Sequence, residues 1–270
     1  MRRRNAFRAP LIVPLTAAAI ASLVATAACS SNVTSHSTAT ATTVHASTAS
    51  GSITVLAASS LTKGFTALGK EFERVHPGTA VHFDFGSSSE LATQIQHGAP
   101  ADAFASADRG NIDRIVGAHL NRSAPMNFVR NKLSIAVEHG NPKKVQRLAD
   151  LAKPDLVVVL CDPSVPCGKF AVKALANAKV TVTPKSREAS AKATLSKVEL
   201  GEADAAIVYV SDIAAGKVEG VTIPDDVNVV TTLALVALQD AENPTLAAAW
   251  DSFVVAHADE LVTTFGFLRL

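Results

Sequence analysis

The sequence predicts an α/β protein of two lobes, with a hinge and a cleft between them, behind an export leader. Three observations carry this expectation. Strand-like and helix-like segments alternate from residue 52 onward, the grammar of βαβ architecture. The alternation comes in two consecutive groups that meet near Lys132. A long apolar segment, Val227 to Leu238, then returns late in the chain and crosses back near Thr231. Lobe 1 is therefore expected to hold residues 52–132 and 232–270, and lobe 2 residues 133–231.

The chain opens with Arg2, Arg3, Arg4 and Arg8 and no acid, then an apolar run from Leu11 to Ala28. A basic start, an apolar stretch and small residues before Cys29 predict a signal peptide over residues 1–28. Pro14 and the modest length of the run argue against a permanent membrane span. Thr26 to Cys29 (TAAC) resembles a bacterial lipoprotein cleavage box with Cys29 as the lipidated residue, although Thr26 stands where leucine is usual. Plain cleavage at a small-residue site is the alternative. Residues 29–51, nearly all Ser, Thr and Ala, lack the apolar density to pack and are expected to form a flexible tether.

In the folded part, Ile53 to Ala57 predicts a buried strand, and Leu61, Phe65, Leu68, Phe72 and Val75 mark one face of a helix ending near Pro77-Gly78. Ala80 to Phe85 predicts a strand, and Leu91 to His97 a short helix with Ser87 and Glu90 at capping-box spacing. A small-residue strand follows at Ala103 to Ala107, then a helix over Ile112, Ile115 and Val116, and a strand at Leu133 to Val137. The second group reads as a strand at Leu156 to Leu160, a helix at Lys169 to Ala178, a helix at Ala189 to Leu200 and a strand at Ala205 to Val210. Asn243-Pro244 starts a further helix, and a last one lies around Glu260 to Phe265.

Two loops stand out, AASSLT (Ala57 to Thr62) and GSSSEL (Gly86 to Leu91). Each follows a strand and opens a helix, where free N–H groups and a partial positive charge favour an anion. Serines add donors without a counter-charge, although Ser59, Ser60, Ser87, Ser88 and Ser89 would also serve as plain helix caps. A fully deprotonated dianion has no proton to give, so a pocket of donors alone suits it, whereas hydrogen phosphate needs an acceptor. With 25 basic and 24 acidic residues, no basic stripe and no aromatic platform, the chain is not expected to bind nucleic acid.

Three stretches carry a family resemblance: Ile53 to Thr62, Phe83 to Asp108 (FDFGSSSELATQIQHGAPADAFASAD) and Gly201 to Asp212 (GEADAAIVYVSD). The closing Phe265 to Phe267 (FGF) fits too. In these the chain resembles the molybdate-binding proteins of bacterial molybdate ABC transporters, a class of periplasmic solute-binding proteins. The resemblance implies a type II periplasmic-binding-protein fold and capture of molybdate, with tungstate alongside, for delivery to membrane permease subunits. It implies an exported, lipid-anchored monomer on the outer face of the cell membrane, without cofactor or directly coordinated metal. Matched position by position, Ser60 and Ser88 supply hydroxyl and amide donors, Cys167 and Ala191 backbone amides, and Tyr209 a phenolic hydroxyl.

Other readings stay in view. Cys161 and Cys167 flank a five-residue loop in an exported chain, which predicts a disulfide, two free thiols being the alternative. Tyr209, the chain's single tyrosine, reads equally as a core residue with a satisfied hydroxyl. The eight histidines show no metal-ligand spacing. A sulfate-binding protein is one alternative. An exported hydrolase with Ser60 or Ser88 as nucleophile is another, weakened by the lack of a G-x-S-x-G elbow or an S-x-x-K pair, and no catalytic residue is assigned.

Overall fold

The computed structural model describes residues 50–270, so the signal peptide, Cys29 and almost all of the tether lie outside the described residues. In chain order the elements are β1 (Gly51–Ala58), a 3₁₀ turn (Ser59–Leu61), α1 (Thr62–Val75), β2 (Thr79–Gly86), α2 (Ser88–Gln96), β3 (Ala103–Ser106), α3 (Arg109–Gly117) and β4 (Met126–Val137). Beyond a second 3₁₀ turn come β5 (Val158–Cys161), α4 (Pro166–Asn177), β6 (Ser186–Glu188), α5 (Ala191–Glu199), β7 (Ala205–Tyr209), α6 (Val210–Ala215) and β8 (Glu219–Thr222). The chain closes with β9 (Val230–Ala237), α7 (Pro244–Ala256) and α8 (Ala258–Phe265).

The strands follow one hydrogen-bonded path, β2-β1-β3-β9-β4-β7-β5-β6, with β8 on β4. That path hides a division. In β4, Met126 to Lys132 pair with β9, whereas Leu133 to Val137 pair with β7 and β8. No residue of β4 is shared by β9 and β7, so the two half-sheets meet only end to end along this strand. The buried apolar clusters divide in the same way. Those of one lobe draw on residues 53–129 and 233–267, those of the other on residues 133–229.

Within lobe 1, α1 buries Phe65, Leu68 and Phe72 against Trp250 of α7, whose ring meets Phe65 and Phe72 edge-on at 5.5 Å. Each such side chain removed from water contributes roughly 1.5–3 kcal/mol. Val75, expected on this face, is 42 % exposed, at the last residue of the helix. Asp102 ties the lobe together: its carboxylate accepts from Thr54 N–H (2.8 Å) and Asn243 N–H (2.9 Å), joining β1 to the start of α7.

Several elements differ from expectation. β4 begins at Met126, seven residues before the predicted strand. Its polar Asn131 is buried because its amide donates to Ser211 Oγ at 2.8 Å. The predicted strand end at Val210 is instead the first residue of α6, with Asp212 accepting from Tyr209 N–H at 2.9 Å to cap the turn. β6 and β8 are short, polar and partly exposed, and carry no apolar alternation to announce them.

Candidate functional site

The parallel strands β1 and β2 of lobe 1 end at Ala58 and Gly86; β5, β6 and β7 of lobe 2 end at Cys161, Glu188 and Tyr209. Helices start just beyond these ends, so both lobes turn helix N-termini toward the crevice, where open α/β sheets take their ligands. A small cavity lies there, lined from lobe 1 by Ser59, Ser60, Ser87, Ser88 and Ala107 and from lobe 2 by Val165, Cys167, Ser190, Ala191 and Tyr209, among others. It leaves about 10 Å³ for the centre of a water molecule, on the scale of about one water.

The five residues singled out in the sequence, Ser60, Ser88, Cys167, Ala191 and Tyr209, all line this cavity. Ser60 Oγ and Tyr209 Oη are buried and have no hydrogen-bond partner among the described residues. Burying such a group unpaired costs about 1–3 kcal/mol, and here two of them face one cavity from opposite lobes. Ser88, 1 % exposed, accepts from Ala107 N–H at 2.9 Å, which leaves its own hydroxyl proton to donate. Burial pushes the Tyr209 phenol well above its ordinary range, reinforced by the charges of Asp212 and Asp108, so the hydroxyl stays a donor.

The helix starts add amide donors. In α2, Ser87 caps Glu90 N–H (3.3 Å), and Ser87 O takes the first helical bond from Leu91, so Ser88 N–H precedes the helical ladder. In α5, Ser190 caps Ala193 N–H at 3.2 Å, leaving Ala191 N–H ahead of it. In α4, Pro166 at the first helical position has no N–H, so the first amide is that of Cys167. The Cys161–Cys167 disulfide, with Cα atoms 5.8 Å apart, folds the intervening loop against this helix start. Gly168 makes the fold-back possible, since a Cβ there would lie 1.9 Å from the Asp162 carbonyl oxygen.

Among the described residues no ionised side chain lines the cavity. Buried carboxyls lie close by: Asp108 follows Ala107 of the lining, and Asp212 lies three residues after Tyr209. Burial raises the Asp212 carboxyl to about 7, against the pull of Tyr209 N–H and Lys192 and with Glu199 adding to the rise. Among the described residues no group of three or more His, Cys, Asp or Glu is placed to hold a metal ion. A larger cavity of about 500 Å³ lies at the far end of the lobe 1 sheet, beside Thr54, Leu238, Asp240 and Glu242. Its acidic rim disfavours an anion, and the Asp102 carboxylate on its wall is engaged by backbone amides.

Ala107, Val165 and Ser190 join the cavity walls unannounced by the sequence, since Ala107 and Val165 have no polar side chain to mark them, while Ser59 and Ser87 come from the two serine loops.

A two-lobed α/β molecule with a small donor-lined cavity between its lobes has the design of a protein that closes around a solute. The family comparison agrees: the chain belongs to the bacterial extracellular solute-binding proteins, whose family profile matches residues 53–268. It is 43 % identical over 209 residues to the molybdate-binding protein ModA of Mycobacterium tuberculosis (strain ATCC 25618 / H37Rv), covering 77 % of this chain and 80 % of the relative. Among solved structures it resembles the periplasmic molybdate-binding protein of Azotobacter vinelandii, with a TM-score of 0.72 and 20 % identity over 81 % of this chain and 99 % of that one. It also resembles the sulfate-binding protein SubI of Mycobacterium tuberculosis H37Rv, with a TM-score of 0.70 and 20 % identity over 80 % and 86 %. At these identities the structural likeness establishes the fold.

Proposed function

We propose that this chain is the extracytoplasmic molybdate-binding protein of an ABC transporter, taking tungstate in the same cavity and delivering the anion to a membrane permease. The observation that carries the reading is the pairing of Ser60 Oγ and Tyr209 Oη, two buried donors without partners among the described residues, that face one small cavity from opposite lobes. Ser88 adds a hydroxyl, and Cys167 and Ala191 add backbone amides at helix starts. A tetrahedral dianion accepts from all five and its charge is spread over neutral dipoles. The ligand is cargo; the protein binds and releases it without chemistry, which sets the hydrolase reading aside.

The anchoring reading adds lipidation at Cys29, so that the tether keeps the folded part, as a monomer, at the outer face of the membrane near the permease. Among the described residues no helix is long and apolar enough to cross a membrane. Calorimetric titration with molybdate, tungstate, sulfate and phosphate tests the ligand assignment. Tight binding of molybdate and tungstate with far weaker phosphate is the expected result. A preference for sulfate would move the chain to the other anion class, and binding of none of the four would overturn the site.

A further inference from the structure

Two polar contacts join the lobes beside the cavity, one clear of its lining and one made by the wall residue Ser59. On one side, Asp108 follows β3 in lobe 1 and Lys169 lies on α4 in lobe 2, two residues after Cys167. Asp108 is 5 % exposed. Its Oδ1 accepts from the backbone and side-chain amides of Asn111 at 3.0 and 2.8 Å, while its Oδ2 faces Lys169 Nζ at 3.9 Å. On the other side, Ser59 Oγ of lobe 1 accepts from the N–H of Lys192 in the first turn of α5 at 3.4 Å. Here a residue of one lobe caps a helix of the other.

We propose that Asp108–Lys169 and Ser59–Lys192 form a latch that holds the lobes together independently of the ligand and sets how slowly the anion is released. It rests on the reading of the cavity as an anion site. Each contact has one partner in each lobe, so each is broken when the crevice opens. Affinity for a ligand that needs the closed form scales with how much of that form is populated, so a contact outside the lining, such as Asp108–Lys169, tunes binding without meeting the ligand. Asp108 is therefore a positioning residue: one oxygen holds the start of α3, the other reaches across the crevice. Lys169 is 63 % exposed and 3.9 Å away, so the pair is of the weak, salt-screened kind and acts as a fine adjustment.

The test uses full-length protein in detergent with three variants. Lys169→Met removes the cation, Asp108→Asn keeps an acceptor for the Asn111 amides while removing the charge, and Lys169→Arg restores the pair. Release of radiolabelled molybdate, chased with unlabelled anion, is expected to quicken about two- to fivefold in Lys169→Met and Asp108→Asn, and to return to the parent rate in Lys169→Arg. The double variant Lys169→Met/Asp108→Asn should release no faster than either single, because both remove one interaction. Raising salt should quicken release from the parent and leave Lys169→Met unchanged.

A second arm needs no ligand. Hydrogen exchange in the anion-free protein should speed up about two- to fivefold at the Lys192 amide in Lys169→Met, since loosening one contact loosens the other. Unchanged release and exchange in the single variants, or additive effects in the double, would overturn the latch. If molybdate fails to bind the parent, the proposed function falls, and the exchange arm still decides whether the latch exists.

Discussion

The two walls of the cavity are built differently. Lobe 1 offers mainly side-chain hydroxyls, Ser60 and Ser88, directly after parallel strands, with the Ser88 amide at the start of α2. Lobe 2 offers mainly backbone amides at Cys167 and Ala191, beside the Tyr209 phenol and the Ser190 hydroxyl that caps Ala193 N–H. A hydroxyl can be deleted by one substitution; an amide is present in every residue but proline and is lost only if the loop moves. The lobe 1 wall should therefore fail residue by residue and the lobe 2 wall by distortion of its backbone. The lobe 2 loop is held by a covalent bond, the Cys161–Cys167 disulfide, whereas the lobe 1 serines are held by hydrogen bonds such as Ala107 N–H to Ser88 Oγ.

The sharpest test removes single donors. Ser60→Ala, Ser88→Ala and Tyr209→Phe each leave an anion oxygen short of a partner. At about 1.5–3 kcal/mol for a hydrogen bond to a charged group, each should weaken molybdate binding roughly 10- to 150-fold by calorimetry. The three should differ in stability. Ser88→Ala also strands the buried Ala107 N–H, so the anion-free variant should melt earlier, by about 1–3 kcal/mol. Ser60→Ala and Tyr209→Phe delete groups with no internal partner and should leave the anion-free protein as stable as the parent or more so. Parent-like binding in all three would place the site elsewhere.

The next effect in size concerns the amide wall. Val165, Pro166 and Cys167 all line the cavity, and all lie in the loop and helix start that the disulfide closes. Cross-linking so short a ring is worth about 2 kcal/mol through the unfolded chain. Cys161→Ser/Cys167→Ser should lower thermal stability by about that amount, yet weaken molybdate less than any of the serine variants, since the Cys167 amide survives. A loss of affinity larger than that of Ser60→Ala would mean that the loop cannot hold its amides without the bond, and would reverse the comparison between the walls.

What the sequence revealed follows the same line. Ser60, Ser88 and Tyr209 are legible because their chemistry is in the side chain. Cys167 and Ala191 could be reached only through a resemblance, because an amide donor leaves no mark on residue type. The strands with apolar runs, β1, β5 and β7, were readable, their inner residues being buried on both faces. The first half of β4 was not, because Asn131 is an interior residue whose polarity is satisfied by Ser211, 80 residues further along the chain. Tertiary partners of that kind override local pattern.

Each lobe also hides a carboxyl group whose pKa burial raises. Asp212 lies beneath the lobe 2 wall with its pKa raised by burial to about 7. Asp251, in the lobe 1 core beside Trp250, is raised by burial to about 8 against the pull of the Ala237 backbone. The sign follows from proton uptake. Between the ordinary value near 3.8 and these raised values the folded protein holds a proton that the unfolded chain has lost, so these groups make stability fall as pH rises. Each contributes up to about 1.4 kcal/mol per pH unit, Asp212 up to about pH 7 and Asp251 up to about pH 8. Asp212→Asn and Asp251→Asn should each flatten part of the decline in melting temperature between pH 5 and 8, and the double variant should flatten most. Identical pH profiles for parent and variants would show that neither carboxyl titrates in this way.

The smallest effect is expected from salt. Neither wall places a lysine or arginine in the cavity, so the anion is held by neutral dipoles at close range. Screening acts on exposed charges separated by a Debye length, about 8–10 Å at ordinary ionic strength, and barely touches buried short contacts. The salt-sensitive contribution identified across the crevice is the exposed Lys169 facing Asp108. Raising sodium chloride from about 0.02 to 0.3 M should therefore weaken molybdate binding by no more than about fivefold, the ceiling for a single exposed pair. In Lys169→Met the salt dependence should vanish. A tenfold or steeper loss that persists in Lys169→Met would mean that a cation reaches the anion directly, and the division of labour between hydroxyl wall and amide wall would be incomplete.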